Sequence, residues 1–231
     1  MSKLDSFAKI YKVPQKWSTF ATRYKPETVG KATITKKTYE PGYYLMEGIR
    51  GYVMWHNTKK LPYTSLEING MEWMLDDPLN WFGMVDLAKH STGKVLVAGL
   101  GLGLVASQLA INPQVSSITV IEIYSDVISL IGKYLDPKIT IINDSFENFI
   151  NKNLKNQCFL RYDTIILDIW VGYSPYIKDS MKGMYILTKT ALEENGKIFI
   201  WGLNDETLNP AFVDSEDLRF LTAELSKDKK E

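Results

Sequence analysis

Five apolar runs, separated by segments with helical patterning, dominate the chain from residue 94 onward. They read KVLVAGL, SITVIEI, KITIIND, YDTIILDIW and GKIFIWGL. Strands of a parallel sheet are buried on both faces, so they appear in a sequence as near-continuous apolar runs rather than alternating ones. The pattern therefore predicts an α/β fold, in which a Rossmann-like parallel sheet carries helices on both faces.

Helices are expected between these runs and directly before the first of them. Asp76, Asp77 and Pro78 provide a helix start, because a carboxylate accepts free amides and proline lacks the donor that would be unpaired there. The predicted helices are Pro78–His90, Gly103–Ile111, Ser125–Tyr134, 145–154 and a segment around Lys182–Leu192.

The region before the first helix has a different pattern. Residues 43–74 contain short β-rich runs, and Asn69-Gly70 between two of them is a strong hairpin signal because both residues tolerate positive φ. Residues 2–12 are expected to begin as a short amphipathic helix. We therefore divide the chain into residues 1–77, an arm with a small antiparallel β subdomain, and residues 78–231, the Rossmann-like domain.

Charge and composition narrow the function classes. Lys plus Arg and Asp plus Glu number 27 each, so no overall field attracts nucleic acid or membranes, although residues 1–60 carry a net charge of +8. That basic arm could bind nucleic acid, but solvated lysines are the commoner explanation. Cys158 is the only cysteine and His56 and His90 the only histidines, which leaves little material for a metal site or a hydrolytic centre. We expect a cytoplasmic protein without membrane spans.

The first apolar run ends in the glycine turn Gly99-Leu100-Gly101-Leu102-Gly103, which leads directly into a helix. Glycines let the backbone turn tightly and approach a ligand, and the helix N-terminus offers free amides. Tight strand-to-helix turns also use glycine for packing alone. The turn is therefore a candidate ligand cradle that needs support from other residues.

Carboxylates supply that support, because they end three successive runs. Glu122, followed by Ile123, closes the second run, Asp144 the third and Asp168 the fourth. The carboxyl ends of parallel strands meet at the edge where such sheets bind ligands. Glu122 could accept hydrogen bonds from both hydroxyls of a ribose, so the pattern predicts a nucleoside site.

The same residues indicate which nucleoside. Leu104 stands where the dinucleotide fingerprint requires its third glycine or alanine, which disfavours NAD. Three carboxylates would repel a pyrophosphate but attract a ligand with a sulfonium and an ammonium group. We therefore predict S-adenosylmethionine as the cofactor.

The runs VLVAGLGLG, VIEIYSDVI, INDSFENF and YDTIILDIW resemble the class I S-adenosylmethionine-dependent methyltransferases, and within them the spermidine-synthase-like branch. LEINGMEWMLDDPLNW is similar to the hairpin that leads into the nucleotide domain of that branch. The resemblance implies that Gly99, Leu100, Gly101 and Gly103 wrap the methionine part of the ligand. It also implies that Glu122 and Ile123 lie at the ribose and that Asp144 and Ser145 bind the adenine. Asp168 would then lie beside the reacting carbon as the catalytic residue.

Several positions depart from the patterns of these families. Val97 replaces the acidic residue that methyltransferases place before the first glycine, and Leu102 replaces the aspartate of the spermidine synthase turn. After Asp168 the chain lacks the second aspartate with which an aminopropyltransferase grips a polyamine. Trp170 and Tyr173 stand there instead, either as aromatic surfaces for a substrate or as core residues.

We therefore expect an S-adenosylmethionine-dependent methyltransferase that acts on a small-molecule or unidentified acceptor. A polyamine aminopropyltransferase of the spermidine synthase type is the first alternative. A noncatalytic protein that binds nucleotides or nucleic acid is the second. A homodimer is compatible with each of these hypotheses.

Overall fold

A computed structural model describes residues 10–12, 18–48, 51–155, 160–171 and 175–201. A mainly antiparallel N-terminal part comes first, and a parallel α/β part follows it. None of the helices in these ranges has the length and apolar character that crossing a bilayer would require.

The N-terminal part contains seven strands and one 3-10 helix among the described residues. They are β1 (Ile10–Lys12), the 3-10 helix (Phe20–Arg23), β2 (Glu27–Val29), β3 (Ala32–Tyr39), β4 (Gly42–Gly48), β5 (Gly51–Asn57), β6 (Leu61–Ile68) and β7 (Met71–Leu75). Two sheets form from these strands, one in the order β1-β5-β4 and one in the order β2-β3-β6-β7.

The hairpin at Asn69-Gly70 is confirmed. Asn69 has φ 54° and Gly70 has φ 75°, and Ile68 pairs with Met71 across the turn between β6 and β7. Two consecutive positive φ values match the twist of the flanking strands, which is why this dipeptide favours a tight hairpin.

The expected helix at residues 2–12 is wrong for its last three residues, and residues 1–9 lie outside the described ranges. Ile10–Lys12 form β1, which pairs in parallel with β5. The pairing partner lies more than forty residues further along the chain, so local patterning gave no sign of it.

The α/β part has five α-helices, one 3-10 helix (Gly132–Tyr134, directly after α3) and five strands among the described residues. In chain order they are α1 (Pro78–His90), β8 (Gly93–Ala98), α2 (Leu104–Ile111), β9 (Val115–Glu122), α3 (Ser125–Ile131), β10 (Ile139–Asn143), α4 (Phe146–Lys155), β11 (Tyr162–Leu167), α5 (Pro175–Lys189) and β12 (Leu192–Ile200). The strands form one parallel sheet in the order β10-β9-β8-β11-β12.

The predicted fold class is therefore correct, and burial explains why its strands could be recognised. The side chains from Val95 to Ala98 in the central strand β8 are fully buried, with Val95 and Val97 packing in a cluster on one face and Leu96 and Ala98 in a cluster on the other. A strand covered by helices on both faces has no exposed side, so its sequence is continuously apolar.

The fifth helix and the last strand begin earlier than expected. The sequence placed this helix around Lys182–Leu192, but α5 begins at Pro175 and ends at Lys189. Proline is well tolerated in the first turn of a helix because its missing N–H has no partner there. In β12 the pairing with β11 jumps from Leu192 to Lys197, so the strand contains an irregularity that hides its start.

Asp77 and Pro78 begin α1 as predicted, whereas Asp76 has another role. Asp77 accepts a hydrogen bond from the Asn80 amide at 2.9 Å, and Pro78 occupies the first turn. Asp76 is buried and accepts hydrogen bonds from the Thr19 hydroxyl and the Thr64 amide. Asp76 therefore does not cap α1 but joins the start of the 3-10 helix to β6.

Replacing Asp77 by Asn is expected to stabilise the protein at pH 8 but not at pH 4. Burial raises the pKa of Asp77 to about 6, and its Oδ2 has no hydrogen-bond partner among the described residues. A raised carboxyl pKa makes the stability of the wild type fall as pH increases from about 4 to about 6. Asparagine keeps the cap without the charge, so we expect a gain of up to about 3 kcal/mol at pH 8.

Urea unfolding of Asp77→Asn and wild type at both pH values measures this difference, with Asp136→Asn as an exposed control. Equal differences at pH 4 and pH 8 would contradict the role given to the buried charge.

Candidate functional site

A cavity of about 600 Å³ opens at the carboxyl edge of the parallel sheet. Its volume lies within the range of about 300 to 1,000 Å³ that is usual for small-molecule sites. The chain builds β9 and β10 on one side of β8, and then β11 and β12 on the other. Ligands of open α/β sheets bind at such a reversal of strand order, so the cavity lies where the topology favours a site.

The glycine turn after β8 forms one wall of the cavity. Gly99 has φ 94° and Gly101 has φ 51°, conformations that favour glycine. A Cβ at Gly99 would collide with the backbone oxygen of Asp168, and a Cβ at Gly101 would collide with the sulfur of Met74. The two glycines are therefore needed for the turn and also for the close approach of Asp168 and Met74.

Glu122 is held firmly at the end of β9. Its side chain is only 6% exposed, and its two oxygens accept hydrogen bonds from the amides of Leu100 and Tyr124, both at 2.8 Å. Each carboxylate oxygen has capacity for further donors. The carboxylate is thus fixed beside the glycine turn and can still accept hydrogen bonds from the hydroxyl groups of a ligand.

Asp144 and Ser145 follow β10 on the same side of the cavity. Asp144 accepts a hydrogen bond from the Lys152 ammonium at 2.6 Å and another from the Ser145 amide at 2.9 Å. The contact with Lys152 lowers the pKa of Asp144, so this carboxylate stays charged. The Asp144 amide bonds the Glu122 carbonyl at 3.2 Å, which places the two acidic residues on neighbouring strand ends.

Asp168 follows β11 and differs from the other two acids. Burial raises the pKa of Asp168 to about 7, and the nearby negative charge of Glu122 acts in the same direction. Its amide donates to the Ala98 carbonyl at 2.9 Å, which fixes the backbone at the end of β8. A carboxyl group with a pKa near neutrality can exchange a proton at physiological pH, as a general acid or base must.

The structure places most of the predicted site residues around the same cavity. Those that line the cavity are Gly99, Gly101, Glu122, Ile123, Asp144, Ser145, Asp168 and Trp170. Leu100 and Gly103 are not part of the lining: the Leu100 side chain is buried, and Gly103 faces Leu135 and Ile131 at the start of α2. Tyr173 lies outside the described residues.

Trp170 combines the two roles that the sequence left open. Its indole lines the cavity and also packs against the buried cluster on one face of the sheet. The indole N–H donates to the Ser180 hydroxyl at 3.0 Å, which fixes the ring against α5.

Two of the family departures, Val97 and Leu102, lie at buried positions. The side chains of Val97 and Leu102 are completely buried in the apolar core. The Tyr24 hydroxyl donates to the Leu102 carbonyl at 2.9 Å, so the N-terminal part packs against this stretch of the turn. An acidic side chain at either position would lie in hydrocarbon, which makes apolar residues the stable choice here.

Sequence reasoning missed part of the lining. Trp73 and Trp201 line the cavity, although tryptophans at these positions are more often simple core anchors. Met181 and Met184, one helical turn apart on α5, also line it. Trp201 directly follows β12, so the strand-end rule that selected the acids could have found it, whereas no local signal marked the methionines.

Comparisons with known proteins give the following matches. Spermidine synthase from Thermotoga maritima is 15% identical with a TM-score of 0.45, and the match covers 75% of this chain and 68% of that one. Human methyltransferase-like protein 13, in complex with SAH, is 14% identical with a TM-score of 0.39, covering 52% and 60%.

A precorrin 8w decarboxylase from Methanobacterium thermoautotrophicum is 19% identical with a TM-score of 0.36, and the match covers 49% of this chain and 56% of that one. The chain thus spans 56% to 68% of these three structures. A search of curated proteins gives no match. The model of the spermine/spermidine synthase domain matches residues 82–218, more than half of the chain, and the chain therefore belongs to the spermine/spermidine synthase domain family.

Proposed function

We propose that this protein is a transferase that binds S-adenosylmethionine in the cavity and transfers its methyl group to an acceptor. The observation that carries the proposal is that Glu122, Asp144 and Asp168, which lie at or directly after the ends of three different strands, line one cavity together with the glycine turn. Membership of the spermine/spermidine synthase domain family supports transferase chemistry with a sulfonium nucleoside.

The lining fits such a ligand in charge as well as in shape. Glu122 would accept hydrogen bonds from the ribose hydroxyls, and Asp144 would accept one from the adenine amino group. Gly99 and Gly101 would lie against the methionine part. Among the described residues that line the cavity, none is a lysine or an arginine. A cationic ligand is therefore favoured over one that carries a pyrophosphate.

The ligand would supply an alkyl group on a sulfonium, whose carbon–sulfur bond breaks with the electron pair left on sulfur. The protein's contribution is to position the acceptor and to take up its proton. Asp168 is suited to the second task, because its carboxylate form, present above a pH of about 7, can accept a proton from a hydroxyl or ammonium group. Positioning contributes up to about 7 to 11 kcal/mol in favourable cases.

Aminopropyl transfer from decarboxylated S-adenosylmethionine to a polyamine is the second candidate, and the family match favours it. Against it stand Leu102, which is buried where an acid would anchor the ligand amine, and the residues Ile169, Trp170 and Val171 after Asp168, none of which is acidic.

Product analysis separates the two candidates. The protein is incubated with S-adenosylmethionine and a panel of acceptors, and in parallel with decarboxylated S-adenosylmethionine and putrescine. We expect S-adenosylhomocysteine in the first reaction and no methylthioadenosine in the second. Release of methylthioadenosine would show that the protein transfers an aminopropyl group rather than a methyl group. Absence of calorimetric binding of S-adenosylmethionine at millimolar concentration would contradict the proposal as a whole.

Replacing Glu122 by Gln is expected to weaken S-adenosylmethionine binding about 10- to 100-fold. Glutamine would direct an NH₂ donor at one of the two backbone amides that now donate to the carboxylate, and it would lose the charge-assisted bonds to the ribose, worth about 1.5 to 3 kcal/mol. Isothermal titration calorimetry measures the change, with the exposed Glu194→Gln as control. Unchanged affinity would remove Glu122 from the proposed site.

The basic arm stays a candidate for nucleic-acid binding, but several of its charges are used within the fold. Lys36 donates to the Ala21 carbonyl, and Lys37 contacts both Glu67 and Glu72. These contacts reduce the charge that the arm can offer to a polyanion. A homodimer also stays a prediction.

A further inference from the structure

The strand order divides the cavity into two halves. The ends of β9 and β10 lie on one side of β8 and contribute Glu122, Asp144 and Ser145, which we call the nucleoside half. The ends of β11 and β12 lie on the other side. We call the lining from there the acceptor half, together with the lining from α1, where Gly83 contacts Trp201, and from α5, where Ser180 contacts Trp170. Asp168, which follows β11, lies next to the border between them.

The acceptor half is built mainly from apolar and aromatic side chains, and its polar members include Asp168 and Asn80, whose side-chain amide donates to Asp77 at 2.9 Å. Its lining includes Leu79 and Met84 from α1, Met181 and Met184 from α5, and the indoles of Trp170 and Trp201. The rings are held in place: Trp170 donates to Ser180, and Trp201 packs on Gly83 of α1, where a Cβ would collide with the indole. The half is therefore a preformed apolar surface with two large aromatic groups.

A charged amine would find little compensation there. Asp168 is the only carboxyl among the described residues that line this half, and burial raises its pKa to about 7, so much of it is uncharged near neutral pH. Moving an ammonium group from water into such surroundings is costly unless it gains an ionic partner. A diamine would need two such partners.

A neutral aromatic molecule needs no ionic partner, and the same surface would stabilise it by apolar contact. Apolar area removed from water stabilises binding by about 25 cal/mol per Å². Aromatic pairs add about 0.5 to 1.5 kcal/mol, and methionine sulfur makes further favourable contacts with rings.

We propose that the acceptor half, lined by Trp170, Trp201 and the methionines of α1 and α5, binds an uncharged aromatic small molecule rather than a polyamine. The proposal rests on the proposed function, because it names the substrate class of the same cavity. Binding can nevertheless be measured without turnover, so the two can fail separately.

The experiment titrates 2-naphthol, putrescine and choline into the protein by calorimetry, with and without saturating S-adenosylhomocysteine. We expect 2-naphthol to bind at least about tenfold more tightly than either cation, a difference of about 1.4 kcal/mol. Choline is included because tryptophan faces can also attract quaternary ammonium groups. Tighter binding of putrescine or choline, or no binding of 2-naphthol in either condition, would overturn the proposal.

Substitutions in the acceptor half test whether 2-naphthol binds there. Met184→Glu places a charge in the acceptor half and is expected to weaken 2-naphthol binding at least about tenfold. Trp170→Ala removes an aromatic wall and should have a similar effect. Met71→Glu is the matched control, because Met71 is 60% exposed and lies outside the lining.

S-adenosylhomocysteine binding reports on the fold of each variant and on the nucleoside half. If 2-naphthol binds equally to all variants, the proposed half is wrong. If S-adenosylhomocysteine fails to bind but 2-naphthol binding still depends on Met184, the proposed function fails while the inference on the acceptor half stands.

Discussion

Asp168→Asn is expected to lower the rate of group transfer by about 10²- to 10⁴-fold, the usual contribution of a general acid or base. Asparagine preserves the size of the side chain and the backbone contact to β8 but cannot accept a proton. Binding of S-adenosylmethionine should change much less than the rate. A comparable loss of binding affinity and of rate would show that Asp168 binds the ligand rather than transferring a proton.

The pH dependence provides a second readout. Because the pKa of Asp168 is raised to about 7, kcat/KM of the wild type should increase as pH rises through about 7 and then level off. Asp168→Asn should lack this step. Asp163→Asn is a suitable control, since Asp163 lies at the other end of β11 and bonds the Lys94 amide at 2.7 Å. A wild-type profile that is flat between pH 6 and 8 would contradict the assignment.

Stability should change in the opposite direction to activity. An unfolded aspartate has a pKa of about 3.9, so the folded protein retains this proton to higher pH than the unfolded chain does. The stability that this group contributes is present below about pH 4 and is lost as pH rises through about 7. Asp168→Asn should therefore be more stable than the wild type at pH 8, as is common when an active-site charge is removed.

Gly99→Ala is expected to destabilise the protein by at least about 4 kcal/mol, which is an exceptional effect for one methyl group. Gly99 has φ 94°, where a side chain is strained by about 1 to 3 kcal/mol. The added Cβ would also collide with the backbone oxygen of Asp168, which cannot rotate away as a flexible side chain could. Relief would require β8 and β11 to separate at the centre of the sheet.

Gly183→Ala is the matched control for this substitution. Gly183 lies within α5, and a Cβ there meets no atom within 4 Å. Alanine should stabilise the helix by about 0.5 to 1 kcal/mol. Urea unfolding of both variants measures the contrast, and a loss below about 1 kcal/mol for Gly99→Ala would show that the turn can relax.

The five strands of the α/β part were predictable because they are buried on both faces. The strands of the N-terminal part were harder to recognise before Tyr43. In β3, for example, Ala32 and Ile34 are buried while Lys36 and Thr38 are exposed, so the strand offers only a short apolar pattern. Its pairing with β6 joins segments about thirty residues apart, and no local sequence signal identifies such a partner.

The sequence alone placed Glu122, Asp144 and Asp168 at the ends of successive strands, and because parallel strands have their carboxyl ends at one edge, it also predicted that the three acids meet there. The tertiary structure decided what surrounds them. The pKa of Asp168 depends on burial and on Glu122, and the acceptor half combines Met84, Trp201 and the methionines of α5. These groups come from elements far apart in the chain, and their joint environment arises only when the helices pack on the sheet. The presence and the ends of these strands follow from local sequence pattern, whereas their order in the sheet, the desolvation of Asp168 and the apolar wall arise only from tertiary packing.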